Sequence, residues 1–240
     1  MKLSILMPAY NEERTLKSVL EALGAELKTD FEVIAVDDGS RDGTLALLKE
    51  AAASGRYSFP IKVLAHEKNS GKGAAIRTSA AAASGEVLII QDADLEYHPR
   101  HIPELIEPIL AGRADIVYGS RLSAIKNQVF NIFYLWGNQS LTWLTNLLCA
   151  SKFTDSYTGY KAFRREILQG MEIKSRGFEL EGELSVKVAL GPWRFEEMPI
   201  AYKCRTRAEG KKINGKDAVK GILTIIKTWF SERRRLKQRP

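Results

Sequence analysis

The first 120 residues alternate between short apolar runs and segments whose apolar positions follow helical spacing. Strand-like runs occupy residues 2–8, 31–40, 60–67, 86–94 and 114–121. Helical spacing predicts four helices between them, over 11–27, 42–53, 73–84 and 99–110, with Asp42 as the N-cap of the second. Short strands separated by helices indicate βαβ units, so the pattern predicts an α/β fold with a mostly parallel central sheet flanked by helices.

The second half of the chain is less regular and predicts mainly helices, over residues 127–149, 178–190 and 216–235. The last helix is amphipathic, and one of its faces carries Val219, Ile222, Leu223, Ile226 and Phe230. The pattern predicts one α/β domain over residues 1–215, followed by this helix and a basic tail over 216–240. The helix either packs on the domain or lies on a membrane surface.

The composition is that of a soluble globular protein, with 45% hydrophobic and 27% charged residues among 240. Cys149 and Cys204 lie far apart and match no metal-site spacing, which favours a reducing compartment over a disulfide framework. The apolar run at the N-terminus is too short for a signal peptide. No apolar run reaches the roughly 18 residues that a transmembrane helix needs, so none is expected.

The net charge of +7 is unevenly distributed, because much of the basic excess lies between residues 203 and 240. Such a tail favours a polyanionic partner, either nucleic acid or an anionic membrane surface, unless it is simply solvated. The basic residues are not interleaved with aromatic residues on a predicted sheet, as they are in many nucleic-acid-binding modules. No nucleic-acid partner is therefore expected.

Five polar loops follow the predicted strands, at residues 8–12, 37–40, 69–73, 92–94 and 119–121. The carboxyl ends of parallel strands meet at one edge of a sheet, and ligands bind beyond that edge. The loop at 69–73 is rich in glycine and precedes a helix, so it offers amide donors to a phosphate, although a simple turn explains it as well. Five loops at one edge predict a binding site more strongly than any single motif does.

The acids that follow the fourth strand predict a cation site. Asp92, Asp94 and Glu96 repeat at every second position after an apolar run, and clustered carboxylates repel one another unless they share a cation. Oxygen ligands suit Mg²⁺ or Mn²⁺, and substrate phosphates commonly complete the shell of Mg²⁺. The alternative is an acidic turn that caps the next helix.

Together these motifs resemble the family 2 glycosyltransferases, which have the GT-A fold. The shared segments are PAYNEE at 8–13, DDGS at 37–40, NSGKGAA at 69–75, DAD at 92–94, GSR at 119–121, D-x-x-TGYKAFRR at 155–165 and P-I-x-Y-x-x-R at 199–205. Their order is similar to that in dolichol-phosphate mannose synthases and their bacterial polyprenyl-phosphate relatives. The resemblance covers residues 3 to about 215.

The resemblance implies a donor site for a nucleotide sugar. The base and ribose would be held by Pro8, Tyr10, Glu12 and Asp38, with Lys72 near the nucleotide. The divalent cation, which bridges the donor diphosphate, would be bound by Asp92, Asp94 and Glu96. Glu96 stands where the family often has Gln. Lys212 would help to neutralise the diphosphate, within a segment that reads EGKK where relatives often have G-x-S-K.

The resemblance also implies acceptor-binding and catalytic residues. The acceptor site would comprise Arg121, Lys126, Thr158 and Arg205, where relatives have an arginine in place of Lys126. The catalytic set would comprise Asp94, Arg121, Arg205 and Glu183. Glu183 serves equally well as a structural carboxylate of its helix. Structural roles are expected for His66, His98 and His101, because none of them lies at a motif.

The chemistry of the acceptor decides whether a general base is needed. A phosphate monoester has a second pKa of about 6, so it is largely ionised at neutral pH and attacks without a base. The resemblance therefore implies a metal-dependent, inverting enzyme that moves a hexose from GDP-mannose or a UDP-sugar to a polyprenyl or dolichyl phosphate. Such an enzyme is expected at the cytoplasmic face of a membrane, as a peripheral protein.

The main alternative keeps the family and changes the acceptor to a saccharide or another hydroxyl compound. The processive-synthase signature Q-x-x-R-W is absent, which argues against polysaccharide synthesis. A nucleotidyltransferase is disfavoured, because its glycine-rich N-terminal signature is missing from residues 3–15.

Overall fold

A computed structural model describes residues 2–122, 132–204 and 215–238, and its centre is a seven-stranded sheet. The strands are β1 (Leu3–Ala9), β2 (Phe31–Asp37), β3 (Ile61–Ala65), β4 (Val87–Ile90), β5 (Ile116–Ser120), β6 (Lys161–Arg164) and β7 (Phe195–Pro199). The helices are α1 (Leu16–Glu26), α2 (Thr44–Ala53), α3 (Lys72–Ala82), α4 (Ile102–Leu110), α5 (Ile132–Cys149), α6 (Arg165–Gly170), α7 (Leu180–Leu190) and α8 (Gly215–Lys237). A short 3₁₀ turn, Pro99–His101, precedes α4.

The strand order across the sheet is β3-β2-β1-β4-β6-β5-β7. All neighbours pair in parallel except β6, which runs antiparallel to both β4 and β5. The predicted α/β fold with a mostly parallel sheet is therefore confirmed. Because β2 lies on one side of β1 and β4 on the other, a crevice opens beyond the carboxyl ends of β1 and β4, as at other topological switch points.

Helices cover both faces of the sheet, because alternate strand residues point to opposite sides. One apolar layer packs the sheet against α1 and α4, and it includes Ile5, Val33, Leu20 and Leu105. The other packs the sheet against α3 and α7, and it includes Leu6, Ile34, Ile76 and Leu184. Both apolar layers pack along the strands themselves. The polar loops lie beyond the strand ends, where they can form a site.

All five predicted strands and all seven predicted helices are present, with changed ends. α1 begins at Leu16 instead of residue 11, because residues 10–15 form turns and Asn11 has a left-handed backbone with φ 52°. The N-cap of α2 is Gly43 and not Asp42, which lies one residue earlier. Asp42 Oδ1 still accepts the N–H of Thr44, the first helical residue, at 3.0 Å. The first residues of the helix predicted at 127–149 lie outside the described ranges.

Two strands and one short helix were not predicted. β6 reads KAFR, and its Lys161 is buried in the fold because it pairs with a carboxylate of α7. β7 reads FEEMP and lies at the edge of the sheet, where Glu197 accepts the Thr154 N–H at 2.7 Å. Both strands contain charged residues that are stabilised by tertiary partners, so the hydrophobic pattern does not predict these strands.

α8 packs along α7 and α5 through one face. Ile225 is buried with Leu141 of α5 and Val186 of α7, and the Trp229 Nε1–H donates to the Leu148 carbonyl at 2.5 Å. Over the part of the chain that the structure describes, no helix is both long and apolar enough to cross a bilayer.

Candidate active site

The loops after β1 and β4 are tied together at the switch point. The Thr15 hydroxyl donates to the Ala93 carbonyl at 2.7 Å and also approaches Glu12 Oε2 at 3.2 Å. The Glu12 N–H in turn donates to the Thr44 hydroxyl at 2.9 Å. Pro8 lies in β1 opposite Val36 of β2. Thr15 thus joins the loop that carries Glu12 to the loop that carries Asp92 and Asp94.

Lys72, the first residue of α3, lies between two carboxylates. Its Nζ is 2.8 Å from Asp92 Oδ2 and 3.2 Å from Glu181 Oε1. Burial lowers the pKa of Lys72, but the two carboxylates raise it by more, so the pKa lies above its ordinary value. Lys72 is therefore a fixed positive charge at the switch point.

Glu181 of α7 links this pair to Lys161, whose side chain is fully buried. The Lys161 ammonium donates to Glu181 Oε2 and to the Thr158 carbonyl. Burial raises the pKa of Glu181, but Lys161 and Lys72 together lower it further, so this carboxyl is ionised. Asp92, Lys72, Glu181 and Lys161 form a continuous row of alternating charges, which we call the buried charge row.

The loop at Thr158 and Gly159 covers the buried charge row. A Cβ at Gly159 would lie 3.0 Å from Asp92 Oδ2 and 3.2 Å from Lys72 Nζ, so only glycine fits there without displacing them. The Gly159 N–H donates to the Tyr97 hydroxyl at 2.8 Å. Thr158 is buried, and its hydroxyl accepts the N–H of Tyr160 within the same loop at 3.2 Å.

Asp94 and Glu96 belong to a tight turn after β4. Leu95 between them has a left-handed backbone with φ 61°, and Asp94 Oδ1 accepts the Glu96 N–H at 3.0 Å. The Tyr202 hydroxyl donates to Glu96 Oε2 at 2.9 Å. Burial raises the pKa of Asp92 above its ordinary value although Lys72 opposes this shift.

The oxygen donors of this turn fit a hard divalent cation. Within residues 2–122, 132–204 and 215–238, no three acidic, His or Cys side chains are gathered closely enough to hold a metal ion by themselves. The carboxylates of Asp92, Asp94 and Glu96 nevertheless supply the ligand type that Mg²⁺ and Mn²⁺ prefer. A cation there would need further oxygen ligands from a bound phosphate.

A cavity of about 570 Å³ opens at the carboxyl ends of β1, β2 and β3. Its lining includes Tyr10, Asp37, Ser40, Arg41, His66 and Asn69. Asp37 Oδ2 accepts the Ser40 N–H at 3.1 Å, whereas Asp37 Oδ1 is buried without a hydrogen-bond partner among the described residues. Because buried polar atoms are rarely left unpaired, this oxygen suits an N–H or hydroxyl of a ligand.

Asp38, the predicted ribose ligand, is fully engaged within the protein. Its Oδ1 accepts the Ser70 N–H at 2.9 Å and lies 2.7 Å from His66 Nδ1, and its Oδ2 accepts the Gly71 N–H at 2.7 Å. Gly71 has φ 95°, and a Cβ there would overlap the Arg176 carbonyl. Asp38 therefore anchors the glycine-rich loop that precedes Lys72, and His66 is held by Asp38 and by the Thr78 hydroxyl, which is 2.9 Å from its Nε2.

Arg121, which follows β5, forms a bidentate ion pair with Asp155. Its Nε lies 2.7 Å from Asp155 Oδ2 and its Nη2 lies 2.8 Å from Oδ1, while the guanidinium stacks over the Tyr202 ring at 5.1 Å. Burial raises the pKa of Asp155, but Arg121 lowers it by more. The Asp155 N–H donates to Glu197 Oε1 at 3.1 Å, so β7 supports the pair from behind. Through Tyr202, Arg121 adjoins the Glu96 side of the site.

Glu183 is buried on α7 and is bound by a different part of the chain. Its oxygens accept the N–H groups of Lys174 and Ser175 at 2.9 and 2.7 Å, and the Lys187 ammonium lies 3.2 Å away. Burial raises the pKa of Glu183, but these contacts lower it further. The structure thus places Glu181, and not Glu183, in contact with Lys72. Of the other predicted site residues, Lys126, Arg205 and Lys212 lie outside the described ranges.

Four site residues were not singled out from the sequence. Lys161 and Asp155 belong to the matched motifs, but a motif does not show that one fills a buried ion pair and the other fixes Arg121. Glu181 and Asp37 each lie one or two positions from another acid, and the motifs point to that other acid, Glu183 or Asp38. The missing signal was geometric, because the last residue of β2 and the first turn of α7 decide which acid faces the site.

A crevice at a sheet switch point, with a lysine, acids and a cavity at the same edge of the sheet, is typical of α/β enzymes that bind nucleotides. A family model for glycosyl transferase family 2 matches residues 4–171. The chain therefore belongs to glycosyl transferase family 2.

Curated relatives agree with this family. Over 215 residues the chain is 30% identical to a dolichol-phosphate mannosyltransferase of Pyrococcus furiosus, covering 88% of the chain and 59% of the relative. It is 32% identical to an undecaprenyl-phosphate 4-deoxy-4-formamido-L-arabinose transferase of Pseudomonas fluorescens over 171 residues. This match covers 70% of the chain and 48% of the relative. The chain thus spans about half the length of these relatives.

The glucosyl-3-phosphoglycerate synthase of Mycobacterium tuberculosis, solved with Mn²⁺, UDP and phosphoglyceric acid, has the same fold. Its TM-score is 0.71 at 23% identity, covering 96% of this chain and 78% of that one. The GT-A fold implied by the sequence motifs is confirmed.

Proposed function

We propose that this protein is an inverting glycosyltransferase that moves a hexose from a nucleotide sugar to a polyprenyl phosphate. The observation that carries the proposal is the group at the switch point, where Lys72 pairs with Asp92 after β4, on the same sheet edge as the cavity at the ends of β1–β3. The names of the two curated relatives, which concern dolichol phosphate and undecaprenyl phosphate, support the choice of acceptor.

The cavity at the ends of β1–β3 is the proposed place for the nucleotide. Tyr10 lines it, and Asp37 offers a buried oxygen that a base N–H or a ribose hydroxyl would satisfy. We assign this contact to Asp37 and the anchoring of the phosphate loop to Asp38, because the oxygens of Asp38 already bind Ser70 and Gly71. Pro8 and Glu12 would contact the nucleotide from the β1 side, as the resemblance implies.

The diphosphate would lie between Lys72 and the acids Asp92, Asp94 and Glu96. Carboxylates of this set, together with oxygens of the bound diphosphate, would hold Mg²⁺ or Mn²⁺, which would neutralise developing negative charge on a leaving diphosphate. Lys72 contributes a permanent positive charge at the same place, and the sequence offers Arg205 and Lys212 as further cations.

A phosphate acceptor fits the arrangement of the acids. Glu183, which the resemblance places in the catalytic set, is held by Lys174, Ser175 and Lys187, so we assign it a structural role. An acceptor phosphate carries its own negative charge and needs only to be held in line. Arg121, fixed by Asp155, is the proposed holder, together with Lys126, Thr158 and Arg205.

The proposal includes a peripheral position at the cytoplasmic face of a membrane, since a polyprenyl phosphate resides in a bilayer. Residues 1–215 would form the catalytic domain, and residues 216–240 would contact the lipid surface.

A matrix of donors and acceptors tests the proposal. GDP-mannose, UDP-glucose and UDP-GlcNAc are each incubated with Mg²⁺ or Mn²⁺ and with a polyprenyl phosphate, the matching polyprenol or a free sugar. We expect a glycosylated lipid with one donor and only with the phosphate acceptor. Transfer to the polyprenol or the free sugar alone would contradict the acceptor assignment, and the absence of any nucleotide-sugar binding would contradict the function.

A further inference from the structure

Exposed apolar side chains are concentrated on two adjacent helices. Nine large hydrophobic residues are exposed among those that the structure describes, and only Leu110 lies outside α5 and α8. The other eight are Trp136, Trp143 and Leu147 on α5, and Val219, Ile222, Leu223, Phe230 and Leu236 on α8. Single exposed apolar residues are ordinary, but a concentration of this kind marks an interaction surface.

The apolar stripe of α8 is the face that does not pack on the protein. The packed face carries Gly221, Ile225 and Trp229, whereas Leu223 is 49% exposed and Phe230 is 55% exposed. Positions 219, 223, 226 and 230 lie three or four residues apart, so these side chains form one continuous row. The outward face of α8 therefore carries a row of apolar side chains.

Positive charges flank this row, and three of them have no ion-pair partner among the described residues. α8 contains seven basic and two acidic residues. Lys220, Lys227 and Arg234 form no ion pair with any residue in the described ranges, in contrast to Arg235, which approaches Glu232 and Glu172 at 3.5 and 3.7 Å. Lys227 and Arg234 border Phe230 on the same side of the helix. An apolar row edged by cations is complementary to a surface of acyl chains and anionic headgroups.

The exposed face of α5 adds two indole rings. Trp136 and Trp143 are 65% and 66% exposed, and they lie seven residues apart, on one face with Leu147. α5 adjoins α8 through the contact of Leu148 with Trp229. Tryptophan favours the boundary between acyl chains and headgroups, because its ring is apolar and its N–H is polar.

We propose that the outward faces of α5 and α8 form a docking surface for an anionic lipid bilayer, on which α8 lies parallel to the membrane plane. This surface gives the lipid partner of the proposed function a definite place on the molecule. The proposed function explains why the protein would dock on a membrane, but docking itself requires no acceptor lipid.

Co-sedimentation with vesicles tests the surface. The full chain is mixed with vesicles of phosphatidylcholine alone or of phosphatidylcholine with phosphatidylglycerol, at low and high salt. We expect binding to the anionic vesicles that weakens as salt is raised. Leu223→Ser with Phe230→Ser should weaken binding at least about tenfold. Lys227→Gln with Arg234→Gln should weaken it about fivefold for each charge removed at low salt.

Matched variants on other surfaces serve as controls. Leu110→Ser removes an exposed apolar side chain from α4, and Lys17→Gln with Lys49→Gln removes two exposed charges from α1 and α2. Both controls should bind vesicles as the wild type does, and thermal melting should show that all variants are folded. Brominated lipids should quench tryptophan fluorescence, and less so in Trp143→Phe.

Three results would overturn the docking surface. The first is equal binding to neutral and anionic vesicles. The second is vesicle binding by the Leu223→Ser, Phe230→Ser variant that matches the wild type. The third is a wild-type protein that does not bind vesicles but forms a dimer in solution, which this double variant dissociates. Because the vesicles contain no polyprenyl phosphate, a protein that binds them without transferring sugar would contradict only the proposed function. A protein that transfers sugar without binding them would contradict only the docking surface.

Discussion

At the scale of single residues, the buried charge row is the feature that organises the site. Side-chain exposure falls along it from 20% at Asp92 through 11% at Lys72 and 6% at Glu181 to zero at Lys161. Asp92 is therefore the end that opens to the crevice, and Lys161 is the end rooted in the sheet. Two carboxylates and two ammonium groups alternate, so each buried charge has an opposite neighbour, which burial requires.

Removing the central carboxylate should damage both stability and activity. Glu181→Gln removes the ion-pair partner of buried Lys161 and releases Lys72 from one of its two partners. We expect the free energy of unfolding to fall by about 3–5 kcal/mol, measured by urea titration. Glu166→Gln, an exposed acid on α6, should change it by less than about 0.5 kcal/mol. An equal, small change in both variants would show that the row does not stabilise the fold.

The pH dependence of stability separates the two assignments of Glu183. Its pKa lies below the ordinary value of about 4.3. A lowered carboxyl pKa stabilises the fold above the unfolded pKa, and this stability is lost as the pH falls through the folded pKa. The gap in unfolding free energy between wild type and Glu183→Gln should therefore be about 1–3 kcal/mol at neutral pH and should shrink below about pH 4.3.

The same variant should retain most of its sugar transfer per folded molecule, because Glu183 binds Lys174, Ser175 and Lys187 instead of the reacting groups. A loss of a hundredfold or more in a folded Glu183→Gln protein, of the order that general-base catalysis provides, would return Glu183 to the catalytic set.

At the scale of secondary structure, α8 is held by close approach to the domain. Gly221 faces the Tyr157 hydroxyl, which a Cβ would overlap, whereas a Cβ on Gly137 of α5 would meet nothing within 4 Å. Gly221→Ala should therefore destabilise the protein by about 1–3 kcal/mol through overpacking. Gly137→Ala should stabilise it by up to about 1 kcal/mol, since alanine favours helix. Thermal unfolding of the two variants should shift in opposite directions, and parallel shifts would contradict this packing.

Hydrophobic periodicity predicted the elements that owe their form to local pattern, and it failed where tertiary contacts decide. β1 to β5 are apolar and were predicted, whereas β6 contains a buried lysine that pairs with Glu181, which lies twenty residues further along the chain. The apolar row of α8 was predicted residue by residue, but which face packs depends on Gly221 and Trp229. Likewise, the doublet Asp37-Asp38 marks the site, and the end of β2 decides that Asp38 binds the loop.

At the scale of the whole molecule, the sheet separates two tasks. Its carboxyl edge gathers the cavity, Lys72 and the acids after β4, while α5, α7 and α8 pack together at the side of the domain. α7 belongs to both regions, since Glu181 faces Lys72 and the adjacent Gly182 lies against Tyr157 and Ile225 of α8. The proposed lipid surface is thus one helix away from the proposed site of transfer.

The most direct test of sugar transfer at this site compares the wild type with Asp94→Asn, using the donor that the wild type accepts, a polyprenyl phosphate and Mn²⁺. Glu104→Gln, an exposed acid on α4, is the matched control. We predict that the wild type and Glu104→Gln form the glycosylated lipid, and that Asp94→Asn, with an unchanged circular dichroism spectrum, loses at least about a hundredfold in rate. Wild-type activity in folded Asp94→Asn, or undiminished activity after chelation of divalent metal, would contradict the account.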